Sequence, residues 1–198
     1  MSAVPTISIR ALEPEDLEFL YMIENEPKLW TVGNSNVPYS RYVLHEYIAS
    51  SANDIYKDGQ VRLMIVDGAG HNVGVVDLIN FEPKHRRAEV GIVIASAYRG
   101  QGYAQEALRM LTRYARQILR LHQLYALVSV SNENSLRLFT AAGFERTARL
   151  ADWLWEAEKY VDAYVMQLFI KKVEKYLVVT KNIATFALAI KEQTFEVR

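Results

Sequence analysis

Arg99-Gly100-Gln101-Gly102-Tyr103-Ala104-Gln105 is the stretch whose residue types and spacing best suit the gripping of an anion. Its glycines let backbone approach a ligand closely with N–H groups turned outward. A helix predicted to open at Gly102 adds unpaired donors and partial positive charge, which favours a phosphate. Each such interaction contributes about 0.3–1 kcal/mol when exposed, so several amides and Arg99 must act together. The plain alternative is a tight strand-to-helix turn that holds no ligand. Two nucleotide motifs fail here. A P-loop needs Gly-Lys-Ser/Thr at the helix start, where Tyr103-Ala104-Gln105 stands. A dinucleotide fingerprint needs Gly or Ala at position 105 and an acidic residue closing the next strand, but that strand ends Ser129-Val130-Ser131.

The surrounding elements follow from hydrophobic periodicity. Residues 88–94 form a strand before the loop, and residues 102–119 a long amphipathic helix after it, with Ala104, Leu108, Leu111, Tyr114 and Ala115 on one face. A strand at 124–130, a helix at 133–142 and a left-handed stop at Gly143 follow. Upstream, residues 6–11 alternate as a strand, and Glu13-Pro14-Glu15-Asp16 opens a helix. Ser40 caps a second helix whose apolar face is Val43, Leu44, Tyr47 and Ile48, after a loop at 30–40. Asp67-Gly68-Ala69-Gly70 turns strand 61–66 into strand 73–81. Two closing strands fit at 144–152 and 160–170. The order is a three-strand meander, then strand–helix–strand–helix, then a hairpin, which is mixed α/β architecture.

Composition removes several function classes. The 198 residues suit one domain, here residues 1–170, with a C-terminal extension at 171–198 whose Phe186, Leu188 and Ile190 alternate. That extension is either an added packed element or a homo-oligomer contact. Lys plus Arg and Asp plus Glu both number 23, so no basic excess points to nucleic acid. Lys84-His85-Arg86-Arg87 reads as a solvated loop. The absence of cysteine excludes disulfides and thiolate catalysis. The four histidines show no metal-ligand spacing, so no metal is expected. With neither a leader-like N-terminus nor an apolar run long enough for a membrane span, a soluble cytoplasmic protein is expected.

The loop resembles the Arg/Gln-x-x-Gly-x-Gly/Ala signature of the GNAT superfamily of N-acetyltransferases. Asn132-Glu133-Asn134-Ser135, with Phe139 and Gly143-Phe144, is similar to that family's N-x-x-A/S…Y…G-F segment. His85-Arg86-Arg87-Ala88-Glu89 and Ile9-Arg10-Ala11-Leu12 resemble its spermidine and ribosomal-protein N-terminal acetyltransferase subgroup. The resemblance spans about residues 6–170. It implies a mostly antiparallel mixed sheet of about seven strands, splayed between the fourth and fifth, and acetyl-CoA as co-substrate. It places the pantetheine arm on Ile92, Val93 and Ile94, the pyrophosphate on residues 99–105, and Asn132 on the arm.

The resemblance also implies direct attack of a primary amine on the thioester. An alkyl ammonium titrates near ~10.4, so deprotonation at pH 7 costs about 4–5 kcal/mol. Glu89 stands where family members carry a glutamate that accepts this proton; its alternative is an ion pair with Arg86 or Arg87. The tyrosine that protonates the leaving thiolate falls on Phe139, a member of the coenzyme set with no proton to give. Tyr98 and Tyr103 are substitutes, each more in keeping with packing. In residues 30–48 the only carboxylate is Glu46, beside Trp30, Tyr39, Tyr42 and Tyr47. That favours a small amine or a protein N-terminus over a polyamine. The rival reading is a CoA-binding sensor without efficient turnover.

Overall fold

The computed structural model describes residues 4–30, 37–52, 54–156 and 158–170. Seven strands form one sheet in the order β1-β2-β3-β4-β5-β7-β6. They are β1 Ile7–Ala11, β2 Val61–Asp67, β3 Asn72–Glu82, β4 Arg87–Ile94, β5 Gln123–Ser129, β6 Glu145–Glu156 and β7 Lys159–Phe169. Strands β1 to β4 run antiparallel, so the meander has four strands, β4 having joined it beside β3. The helix α5, Tyr103–Gln117, carries the chain from β4 to a parallel β5, as a parallel pair requires. After α6, Glu133–Ala141, the hairpin returns with β7 inserted between β5 and β6.

Each face of the sheet has its own cover. Val76 and Leu78 of β3, Ala88 and Val90 of β4 and Leu124 and Ala126 of β5 pack with Leu108, Leu111 and Leu136 of α5 and α6. The alternate residues face the other way. There Met64, Val66 and Val75 meet Leu20 of α1, Leu17–Glu24, and Leu44 of α3, Arg41–Ser50. Strand periodicity fixes this division, because neighbouring residues point to opposite faces. Glu89, Gly91 and Val93 therefore share the α1/α3 face with Tyr125, Leu127 and Ser129.

Several sequence expectations meet their structural counterparts. Ser40 Oγ accepts from Val43 N at 3.2 Å and caps α3. Gly143 takes φ of 90° at the end of α6. Val43 departs from expectation: it is 47% exposed, so the buried stripe of α3 narrows to Leu44, Tyr47 and Ile48. The single-turn helices α2, Pro27–Trp30, and α4, Ile55–Asp58, were not anticipated; one turn has no period to read. Most of the expected 30–40 loop, the Trp30 side chain and the extension at 171–198 lie outside the described residues.

Candidate active site

The sheet opens where the site lies. In the β4–β5 ladder only Arg87, Ala88 and Glu89 find partners, opposite Gln123, Leu124 and Tyr125. Beyond Glu89, residues 90–94 keep their β3 partners on one side and part from β5 on the other. Strand β5 meanwhile stays paired with β7 through Ser129. The result is a V with Glu89 and Tyr125 at its closed end. Backbone groups on its arms need partners, and an amide-bearing ligand can supply them. Ile92, Val93 and Ile94 all lie on the unpaired arm.

At the open end, β4 runs through a turn into residues 99–105. Arg99 Nε donates to Ile94 O at 2.8 Å, and Gln101 Nε2 donates to Ala97 O at 3.1 Å. Gly100 and Gly102 have φ of 75° and 87°, the left-handed region that a side chain resists. Gly102 is the N-cap of α5 and brings no capping side chain to the first-turn amides of Tyr103, Ala104 and Gln105. At α6 the cap is different: Asn132 Oδ1 accepts from Ser135 N at 3.0 Å. That engages the oxygen of Asn132, the acceptor half of its amide, in the cap.

A groove of about 570 Å³ extends from this loop between α5 and α6. Gln101, Gly102 and Gln105 line one end, and Arg109, Arg113 and Arg116 line its length. These arginines stand at i, i+4 and i+7 on one face of α5, a signal present in the sequence but hidden by the zero net charge. Arg109 is paired with Glu106.

At the closed end, Glu89 Oε2 accepts from Asn80 Nδ2 at 2.8 Å, and Tyr125 stands opposite Glu89 in the ladder. Asn80 sits at a register shift in β3 with φ of 49°, and the bulge aims its amide across to β4. The alternative ion pairs of Glu89 do not form. Arg87 bonds Glu82 at 2.7 Å, and Arg86 bonds the Arg120 carbonyl, so the basic loop ties strand ends together. Burial pushes the Tyr125 phenol up, and the Glu89 carboxylate pushes it further. Sequence reading missed Tyr125, because its pairing with Glu89 depends on a non-local parallel register.

Phe139 is buried, with its ring edge-on to Phe144 at 5.0 Å between centroids. Tyr98 and Tyr103 face each other edge-on at 6.0 Å and pack on the same core.

The glycine loop at 99–105 thus follows directly on the open arm of the V, whose closed end holds the Glu89 carboxylate. A family profile described as Acetyltransferase (GNAT) domain matches residues 6–145. The chain belongs to the GNAT acetyltransferase family. This GNAT chain is 27% identical over 173 residues to the spermidine N(1)-acetyltransferase of Escherichia coli (strain K12), covering 85% of this chain and 89% of that one. It is 32% identical over 155 residues to the putative ribosomal N-acetyltransferase YdaF of Bacillus subtilis (strain 168), covering 75% and 83%. The crystal structure of spermidine N-acetyltransferase from Vibrio cholerae in complex with CoA and spermine superposes with a TM-score of 0.73. That pair is 28% identical and covers 82% of this chain and 95% of the other. The GNAT chain is an acetyl-CoA-dependent N-acetyltransferase, transferring acetyl from the thioester to an amine.

The α1/α3 face beyond the V carries carboxylates outside residues 30–48. Arg62 of β2 clasps Asp77 of β3 through two bonds of 2.9 Å and Glu24 of α1 through one of 2.5 Å. Glu89 lies two residues from Gly91 along the same face of β4.

Proposed function

We propose that acetyl-CoA lies along the V and that an aliphatic polyamine or similar small primary amine enters from the α1/α3 face. The observation carrying this reading is the ladder that stops at Glu89 and Tyr125, which leaves one arm of the V open along residues 90–94. In this reading Arg99, the Gly102–Gln105 backbone, Gly100 and Gln101 hold the pyrophosphate. Arg109, Arg113 and Arg116 receive the phosphate of the adenosine end. Ile92, Val93, Ile94 and Asn132 hold the pantetheine, with Phe139 behind it as packing. Glu89, held in place by Asn80, accepts the proton of the attacking amine in a ternary complex.

The acidic balance of Glu24, Asp77 and Glu89 against Arg62 supports a cationic acceptor, as do the substrates named for the relatives. Thiol release from acetyl-CoA, measured with spermidine, monoamines and peptides bearing free N-termini, tests it. Turnover with the polyamine and weaker turnover with peptides is expected. CoA binding without turnover on any amine would support the sensor reading instead. Glu89→Gln is expected to lower kcat about 10²-fold or more while leaving CoA affinity unchanged.

We also propose self-association through β6, an edge strand beside exposed Trp153, Trp155 and Tyr160. A monomer by light scattering would exclude it.

A further inference from the structure

We propose that Tyr125 is the general acid of this enzyme, giving its phenolic proton to the departing CoA sulfur in place of the tyrosine that Phe139 replaces. The inference rests on the reading of Glu89 as the base. Three observations carry it. Tyr125 stands opposite Glu89 in the last pair of the parallel ladder, so it flanks the point where the V closes. Its side chain shares the α1/α3 face with Glu89 and feels the charge of that carboxylate. The residue in the family's own acid position, Phe139, is sealed in the core against Phe144. Burial and the adjacent Glu89 carboxylate also keep the phenol protonated at neutral pH; Arg87 opposes this and Glu82 reinforces it.

The juxtaposition closes a proton circuit. The ammonium first loses one proton to solvent. The neutral nitrogen then bonds the thioester carbonyl carbon, and the carbon–sulfur bond breaks with its electron pair on sulfur. The remaining excess N–H proton passes to Glu89, and the Tyr125 proton passes to sulfur. Glu89 then returns its proton to the phenolate beside it, so both residues end as they began. The products are amide and free thiol, and no further reactant is needed.

The test compares the wild type, Tyr125→Phe and Glu89→Gln. For Tyr125→Phe, kcat is expected to fall 10²-fold or more with calorimetric CoA affinity unchanged. The alkaline limb of its kcat profile should disappear, while Glu89→Gln removes the acid limb. A readout independent of turnover is the tyrosine titration by NMR of 13C-labelled protein. The resonance lost in Tyr125→Phe should titrate at lower pH in Glu89→Gln, since the neighbouring negative charge is gone. A Tyr125→Phe enzyme that binds CoA, keeps kcat within twofold and retains its alkaline limb overturns the proposal. A wild type that turns over no amine overturns the acetyltransfer reading itself, so the two failures are distinct.

Discussion

Arg99 Nη2 lies 3.7 Å from Glu26 Oε2, so the arginine of the anion loop touches the turn that follows α1 on the acceptor side. The same guanidinium is anchored through Nε to Ile94 O, at the end of the open arm. One side chain therefore links the donor loop, the V and the acceptor-side helix. In the proposed reading, a pyrophosphate held at residues 99–105 competes with Glu26 for that cation.

Glu26→Gln removes the competing anion. A partly exposed pair at this distance is worth about 0.2–1 kcal/mol, so CoA affinity is expected to rise up to about fivefold. Calorimetry at low and high salt checks it, since the gain should shrink as charges are screened. Weaker CoA binding would mean that Glu26 positions Arg99 rather than competing for it.

What the sequence disclosed depended on how local each signal was. Ser40, Gly143 and the Asp67–Gly70 turn act within a few residues, and each stands as its type dictates. The loop at 99–105 was legible for the same reason. Strand order was not: β7 slides between β5 and β6 because of pairings far apart in sequence, such as Gln123 with Phe169. Tyr125 became visible only with the register that sets it against Glu89, and the Arg62 clasp only when α1, β2 and β3 came together. The stripe of Arg109, Arg113 and Arg116 was in plain view at helical spacing, yet a balanced net charge concealed it.

That stripe supports a specific binding prediction. Arg113→Ala and Arg116→Ala are each expected to weaken acetyl-CoA binding, by about 1 kcal/mol or fivefold. The loss should be smaller for dephospho-CoA, which lacks the phosphate at the adenosine end. Equal losses for both ligands would place that phosphate elsewhere.

The start of the first helix makes a separate, pH-dependent contribution to stability. Asp16 is 2% exposed and accepts from Arg10 at 2.6 and 2.8 Å, from Asn72 at 2.8 Å and from Glu13 N at 2.9 Å. Burial pushes its carboxyl up, but these bonds outweigh burial and hold it below the usual range. A depressed native value contributes stability that is present above the unfolded value, near ~3.9, and lost as pH falls through the native one. Asp16→Asn is expected to cost about 2 kcal/mol at pH 7 by urea unfolding. Its deficit relative to wild type should narrow steadily as pH falls below about 4.

Phe139 gives the last prediction, because a tyrosine there would restore the family's residue in the family's place. In this chain the ring is 4% exposed and held edge-on by Phe144, within the core that α5 and α6 close over the sheet. A hydroxyl added there and left without a partner costs about 1–3 kcal/mol. For a domain of this size each kcal/mol lowers the melting temperature by about 2–4 °C. Phe139→Tyr is therefore expected to melt earlier, with no gain in thiol release, since Tyr125 already supplies the proton. A tenfold rise in kcat at unchanged stability would show that position 139 reaches the thiol, and would move the acid back to α6.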